Sequence, residues 1–197
     1  MTLTMGDSPV ETHLFVNGEA RPATGNRRYA LHNPARPEEL VGHAAAGSPE
    51  DVDAAVRAAH AAYPSWAALS YAERADHLTR IADALSILGA KLPQALMAGN
   101  TVVVKPSSNS ALAPTLTLHL MAALLPPGVI NVVTGAASEV GDALVTHPLV
   151  RFVNFTGSDT VGRHIMAQAA RNLTPVTLEL GGNDAAIVCA DARLDAD

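Results

Sequence analysis

Residues 153–184 read VNFTGSDTVGRHIMAQAARNLTPVTLELGGND, and this stretch decides the fold. A β-type run from Arg151 to Phe155 leads into a turn at Thr156-Gly157-Ser158. A helix is predicted from Asp159 to about Ala170. β-type sequence returns from Thr174 to Leu180 and ends at Gly181-Gly182. A strand, a tight glycine turn and a helix make half of a nucleotide-binding βαβ unit. The next strand carries Glu179 towards its C-terminal end, the edge at which open α/β sheets bind ligands. A carboxylate there, beside glycines that leave room for a ligand, points to acid–base chemistry next to a bound cofactor.

Upstream, from Pro93 onward, strand and helix alternate. Thr101 to Lys105 (TVVVK) is a short apolar run, as expected of a parallel strand buried on both faces. Ser107-Ser108-Asn109-Ser110 supplies capping residues to a helix predicted from about Ala111 to Leu125, which Pro126-Pro127-Gly128 stops. Val129 to Val133 is the next strand, and Ser138 to Thr146 a short helix. After the opening stretch, Ala185 to Cys189 reads as a last strand. The alternation implies a doubly wound, Rossmann-type parallel sheet over residues 93–197.

Residues 1–92 read differently, as a partial N-terminal region of one hairpin and two helices. Residues 1–12 look like a loose polar leader. His13 to Arg21 reads as a β-hairpin turning at Asn17-Gly18, a pair that tolerates positive φ. Leu31 to Leu40 is punctuated by proline and reads as loop, with a short strand near Val41. Ser48-Pro49-Glu50-Asp51 starts a helix: a cap, a proline suited to the first position, and acids at the positive end of the dipole. Val52, Ala55, Val56, Ala59 and Tyr63 follow at helical spacing. Ser70 with Glu73 makes a second capping-box pattern, ahead of Tyr71, Ala75, Leu78, Ala82 and Leu85 on one face.

The chain has 197 residues, 48% hydrophobic and 16% charged, which supports a buried core and excludes a disordered class. Its net charge of −6 contains no block of like charge, which argues against a nucleic-acid or anionic-membrane surface. The single cysteine, Cys189, cannot form an intramolecular disulfide, in keeping with a reducing, cytoplasmic setting. No basic n-region or apolar h-region opens the chain, and no apolar stretch is long enough to span a bilayer.

Three positions invite a chemical reading, each with a plainer alternative. Lys105 ends a strand at the ligand-binding edge and could bond a ribose hydroxyl or a phosphate; it could equally be a solvated strand-end lysine. Gly157 to Gly162 has the spacing G-x-x-x-x-G, looser than the usual dinucleotide fingerprint. Gly157 lets a backbone approach and Ser158 adds a hydroxyl at a helix N-terminus, but glycine turns between strands and helices are common. Glu179 could be a solvated acid, and the adjoining Gly181-Gly182 favours a site. Cys189 lies in an apolar run without a basic neighbour and reads as a buried structural thiol. The eight histidines show no metal-ligand spacing, so no metal site is expected.

Together these motifs resemble the NAD(P)-dependent aldehyde dehydrogenase superfamily. LELGGND at 178–184 looks like its catalytic-glutamate signature. AGNTVVVKPS at 98–107, PGVINVVTG at 127–135 and FTGS at 155–158 follow the family in the same order. The resemblance implies a Rossmann-type cofactor domain that takes NAD or NADP, and a small-molecule aldehyde as substrate. Lys105 would bond the adenosine ribose, Gly157 and Ser158 would meet the pyrophosphate, and Val161 and Gly162 would lie near the cofactor. Glu179 would be the general base that activates water to release the acid from a cysteine-bound intermediate. Ser108 stands where NAD-preferring members often carry glutamate; serine neither holds the ribose diol strongly nor repels a 2′-phosphate.

Two departures from the family pattern bear on activity. The family's nucleophilic cysteine belongs to a segment beyond the glutamate strand, and Cys189 does not match it. The family's Pro-Trp-Asn motif, whose asparagine helps form the oxyanion hole, has no counterpart before Lys91-Leu92-Pro93-Gln94; Trp66 reads as a helix-linker residue. The expectation is a fragment with an internal deletion near Leu85–Ser86 and without the C-terminal catalytic segment. It would keep the cofactor site and the base, show no turnover alone, and be unstable or self-associate through exposed apolar surface. The alternative is a non-catalytic dinucleotide-binding module or an unstable remnant.

Overall fold

The structure is a computed structural model that describes residues 9–33, 35–79 and 91–182. The chain divides into two compact units, residues 1–151 and 152–197. The predicted strand at Ala185–Cys189 and the Leu85–Ser86 junction lie outside the described residues, as do Ala82 and Cys189.

The first unit holds two sheets. One has the order β1-β5-β4, from Val10–Thr12, Arg36–Ala45 and Arg28–Asn33. β1 runs parallel to β5 and β4 antiparallel to it. Two expectations are corrected here. The stretch before residue 13 is partly strand, and Leu31 to Leu40 is mostly a long hairpin rather than a loop. Proline misled the reading: Pro37 sits where the β4–β5 register slips between the pairs His32↔Leu40 and Asn33↔Arg36, so the ladder does not need its missing N–H.

The other sheet has the order β3-β2-β7-β6, from Glu19–Arg21, Leu14–Val16, Ile130–Val132 and Val102–Val104. The β2–β3 hairpin forms as expected, with Asn17 and Gly18 at φ 53° and 83°. It joins the sheet through Phe15, which pairs with Val132. A buried amide secures the turn: Asn131 accepts a hydrogen bond from the Asn17 N–H (3.0 Å) and donates to the Gly128 carbonyl (2.7 Å). β6 and β7 are parallel. β6 is the edge of this sheet and only half-buried, whereas burial on both faces was expected.

Helix α1 (Pro49–Ala68) starts as the sequence indicates, with Ser48 as its cap and Asp51 completing a capping box. Val52, Ala55, Val56 and Ala59 are buried, but Tyr63 is exposed and Trp66 takes the core position at 1% exposure. Trp66 is thus a core residue inside the helix, not a linker residue. Its indole N–H donates to the Leu96 carbonyl (3.2 Å), which lets a polar ring edge sit in a dry core. Helix α2 (Tyr71–Thr79) has the Ser70–Glu73 box, and Arg74 donates to the carbonyls of Ala67, Leu69 and Met97, tying it to α1 and to α3 (Leu92–Met97). Tyr71 is exposed, so the buried face of α2 rests on Leu78. Helix α4 (Leu112–Ala122) brings Leu118, Met121 and Ala122 into the same core as Trp66, Ile130 and Val132. The serines before it do not cap it: Ser108–Ser110 form a 3₁₀ turn, and no side chain caps the helix start. A π-helical turn at Ala137–Gly141 precedes α5 (Asp142–Val145).

The second unit contains β8 (Val153–Gly157), α6 (Asp159–Ala169), a 3₁₀ turn at Ala170–Asn172 and β9 (Val176–Leu180). β8 and β9 are parallel and in register from Val153↔Val176 to Gly157↔Leu180. The strand–helix–strand unit is the one read from the sequence, with each strand starting two residues later: β8 runs through Gly157 and the turn narrows to Ser158, while α6 starts at Asp159 as expected. Among the described residues, the parallel pairs β6–β7 and β8–β9 belong to two different sheets.

Candidate functional site

The candidate residues fall on both units, and each half has its own geometry. In the first unit, Lys105 follows β6 directly and lies at the C-terminal end of the parallel pair. Its ammonium is half-buried and donates to the carbonyl of Pro106 at 3.2 Å. No carboxylate among the described residues forms an ion pair with it. Burial lowers its pKa from the ordinary lysine value, because a desolvated ammonium lacks a compensating charge. A half-buried cation held only by a carbonyl suits an oxygen-rich anionic or polyhydroxy ligand. Ser108 sits three residues further on, in the 3₁₀ turn, and its hydroxyl donates to the Gly135 carbonyl at 2.9 Å. This bond joins the loop after β6 to the loop after β7. The hydroxyl oxygen keeps lone pairs for a donor, such as a ribose hydroxyl.

In the second unit, Ser158 is the cap of α6 and its hydroxyl accepts from the Val161 N–H at 3.4 Å. The Gly162 N–H goes to the Ser158 carbonyl at 2.9 Å. The first N–H groups of a helix have no intrahelical partner, so those of Asp159 and Thr160 face the helix start, the ordinary place for a phosphate oxygen. The Ser158 hydroxyl hydrogen is not consumed by the cap and can donate to the same ligand. Val161 is exposed on the first turn.

The two glycines have packing reasons of their own. A Cβ on Gly157 would fall 2.4 Å from the Phe155 ring. Gly162 is buried, and a Cβ there would fall 2.6 Å from a Leu180 methyl. The gap at Gly162 seats β9 against α6, the packing role of a glycine in such a unit.

That contact fixes which way Glu179 faces. Side chains alternate along a strand, so if Leu180 packs on α6, Glu179 lies on the opposite face. The in-register partner of Glu179 is Thr156 on β8. The Thr156 hydroxyl donates to a carboxylate oxygen of Glu179 at 3.3 Å, and both residues are exposed. The sequence reading missed this partner. It placed Thr156 in the turn after the strand, whereas β8 runs through Gly157 and the parallel register sets Thr156 beside Glu179.

Among the described residues, no group of three His, Cys, Asp or Glu side chains is placed to hold a metal ion, and no helix is long and apolar enough to cross a membrane. A parallel strand pair crossed by a capped helix, with polar groups gathered at the C-terminal strand ends, defines a protein of the Rossmann-like α/β class.

Within that class the chain belongs to the aldehyde dehydrogenase family, whose model matches residues 21–88 and 84–197. It is 51% identical over 109 residues to an NADP-dependent glyceraldehyde-3-phosphate dehydrogenase from Scenedesmus vacuolatus, a match that covers 53% of this chain and 44% of the relative. It is 49% identical over 112 residues to a mitochondrial succinate-semialdehyde dehydrogenase from Arabidopsis thaliana, covering 56% of this chain and 21% of the relative. Among solved structures, aldehyde dehydrogenase C from Pseudomonas syringae, a mutant in complex with NAD+ and octanal, matches with TM-score 0.84 and 27% identity over 92% of this chain and 52% of that one. A lactaldehyde dehydrogenase matches with TM-score 0.84 and 25% identity, covering 89% of this chain and 53% of that one. The chain thus spans about half the length of the solved relatives it matches.

Proposed function

We propose that these 197 residues hold NAD or NADP and supply the general base of an aldehyde dehydrogenase, without its nucleophile. The observation that supports this best is the β8–α6–β9 unit, with a capped helix start beside a strand end and Glu179 one residue from the end of the adjoining strand. Lys105 and Ser108 would meet the adenosine ribose. Ser158 and the first N–H groups of α6, with Gly157, Val161 and Gly162 shaping the backbone there, would meet the pyrophosphate. Each half's donors fit its part of the group: an ammonium and a hydroxyl suit a ribose, and a hydroxyl with the first amides of a helix suits a diphosphate. When bound, the nicotinamide supplies the two-electron acceptor for aldehyde oxidation. Glu179 would take a proton from the water that releases the carboxylic acid. The NADP dependence of the Scenedesmus relative and the NAD+ in the Pseudomonas structure support either cofactor. Ser108 supplies no carboxylate to repel a 2′-phosphate, so NADP+ is accepted as well as NAD+.

The chain's single cysteine, Cys189, follows the glutamate motif directly and does not take the nucleophile's place. The family match also falls into two pieces that meet at 84–88, which supports a deletion seam at Leu85–Ser86 between a partial N-terminal region (1–92) and the cofactor domain (93–197). On this reading the chain binds cofactor in the cytoplasm and does not oxidise a small aldehyde alone. It associates with another copy or an intact relative through apolar surface such as Phe152, Met166 and Leu173, the last 88% exposed. Calorimetric titration of the purified chain with NAD+ and NADP+ tests it: saturable binding is expected, and no heat from either would refute the cofactor assignment. Aldehyde-dependent NAD(P)H formation by the same preparation would refute the absence of turnover. A non-catalytic dinucleotide-binding module is the second reading, favoured by the same lack of a matching thiol.

A further inference from the structure

We infer that Thr156 is a positioning residue for the Glu179 carboxylate, acting through its hydroxyl across the β8–β9 pair. The inference rests on Glu179 being the general base, and deepens that reading. Three observations carry it. The strands are parallel and in register, with Thr156 opposite Glu179, so the two side chains leave the same face of the sheet side by side. The hydroxyl donates to Oε2 of the carboxylate at 3.3 Å. The strand that carries Glu179 is seated by Leu180 filling the space over Gly162, which fixes the depth at which the carboxylate emerges.

Glutamate has three side-chain torsions and, at an exposed strand end, several open rotamers. A base must stand within hydrogen-bond reach of the water it deprotonates, so a side chain spread over many rotamers is seldom in place. A donor on the neighbouring strand narrows that spread. It binds the ionised carboxylate more strongly than the neutral acid, because a charged acceptor makes the stronger hydrogen bond. Threonine suits the place twice over: its β-branch favours a strand and limits χ1, and its hydroxyl reaches one residue sideways. Valine would fit the strand equally well without donating.

The test is a carbon-13 NMR titration of the Glu179 carboxyl carbon in the 197-residue chain, the resonance being identified by its loss in Glu179→Gln. Thr156→Val is expected to raise the titration midpoint by about a few tenths of a pH unit, the scale of one exposed charge-assisted contact. Thr156→Ser, which keeps the donor, is expected to restore the wild-type midpoint. An unchanged midpoint in Thr156→Val would overturn the inference, as would a Thr156→Ser midpoint that follows valine rather than wild type. The amide spectrum of each variant shows whether the strand pair is intact. If valine disturbs it, the serine variant and the wild-type deuterium isotope shift on the carboxyl carbon decide the matter: no isotope shift from the exchanging hydroxyl refutes the bond. Calorimetry with NAD+ and NADP+ on the wild-type chain is read separately. Failure there sinks the cofactor reading while leaving the Thr156–Glu179 bond established or refuted by NMR alone.

Discussion

Replacing Asp51 should expose how the N-terminal region is fastened to the rest of the first unit. Its carboxylate is 2% exposed and accepts five hydrogen bonds. Oδ1 receives the Arg21 guanidinium at 3.2 Å and the Thr24 hydroxyl at 3.0 Å. Oδ2 receives the Thr24 N–H at 3.0 Å, the Ser48 N–H at 3.0 Å and the Ser48 hydroxyl at 3.1 Å. Burial alone would push the carboxyl up; the bonds from Thr24 and Ser48 outweigh it and hold the pKa below the usual aspartate value. In Asp51→Ala the exposed donors of Arg21 and Thr24 can turn to water, but the buried Ser48 N–H cannot. One orphaned buried donor plus the lost charge-assisted bonds comes to about 3 kcal/mol. That corresponds to a fall in melting temperature of roughly 6–12 °C for a unit of this size. Asp51→Asn is milder, because the amide nitrogen can take the Oδ1 side, where the Thr24 hydroxyl can rotate to accept and only the Arg21 contact is lost. The expected cost is about 1 kcal/mol. The depressed folded pKa means that the contribution is fully present above the unfolded value and is lost as pH falls through the folded one. The gap between wild type and Asp51→Asn should therefore narrow in acid. Urea unfolding at pH 7 and pH 3 measures both effects. Equal costs for alanine and asparagine, or a gap that acid leaves unchanged, would refute this account.

Three further outcomes are expected. His119 on α4 has a buried Nε2 without a hydrogen-bond partner and a ring centroid 5.0 Å from that of Phe15. Burial pushes its pKa down, outweighing the effect of the His13 backbone, so the folded chain binds fewer protons than the unfolded one and stability falls as pH drops below about 6.5. His119→Gln should flatten that fall when melting temperatures at pH 7.5 and 5 are compared. Gly128 has φ +84°, and a Cβ there would lie 2.8 Å from the Ala58 carbonyl oxygen, so Gly128→Ala should cost about 3 kcal/mol in urea unfolding. Lys105→Met should weaken NAD+ and NADP+ binding by about tenfold to a hundredfold in calorimetry without lowering the melting temperature, since the half-buried ammonium gives up a desolvation cost.

What could be read from the sequence divides along a physical line. The signals that succeeded act within a few residues of where they are written. Asn17-Gly18 sets a turn because of its own φ, Ser48-Pro49 starts a helix because of its own cap and ring, and Ser158 joins a strand to a helix by its own cap. What failed depended on a distant partner. Pro37 reads as a strand breaker until β4 is seen to slip its register around it. Trp66 reads as a linker residue until the Leu96 carbonyl is there to receive its N–H. The serines at 107–110 read as caps, yet Ser108 gives its hydrogen to a carbonyl 27 residues away and so serves to join two strand-end loops. The candidate site shows both kinds. Lys105, Ser158 and Glu179 could be named because residue type at a strand end or helix start restricts chemistry. The pairing of Glu179 with Thr156 could not, because it depends on a parallel register 23 residues apart. A one-residue slip of that register would put Leu178 or Leu180 beside Thr156 in place of the carboxylate. The seat that Gly162 provides for Leu180 is therefore part of what aims the Glu179 carboxylate, although neither residue carries a charge.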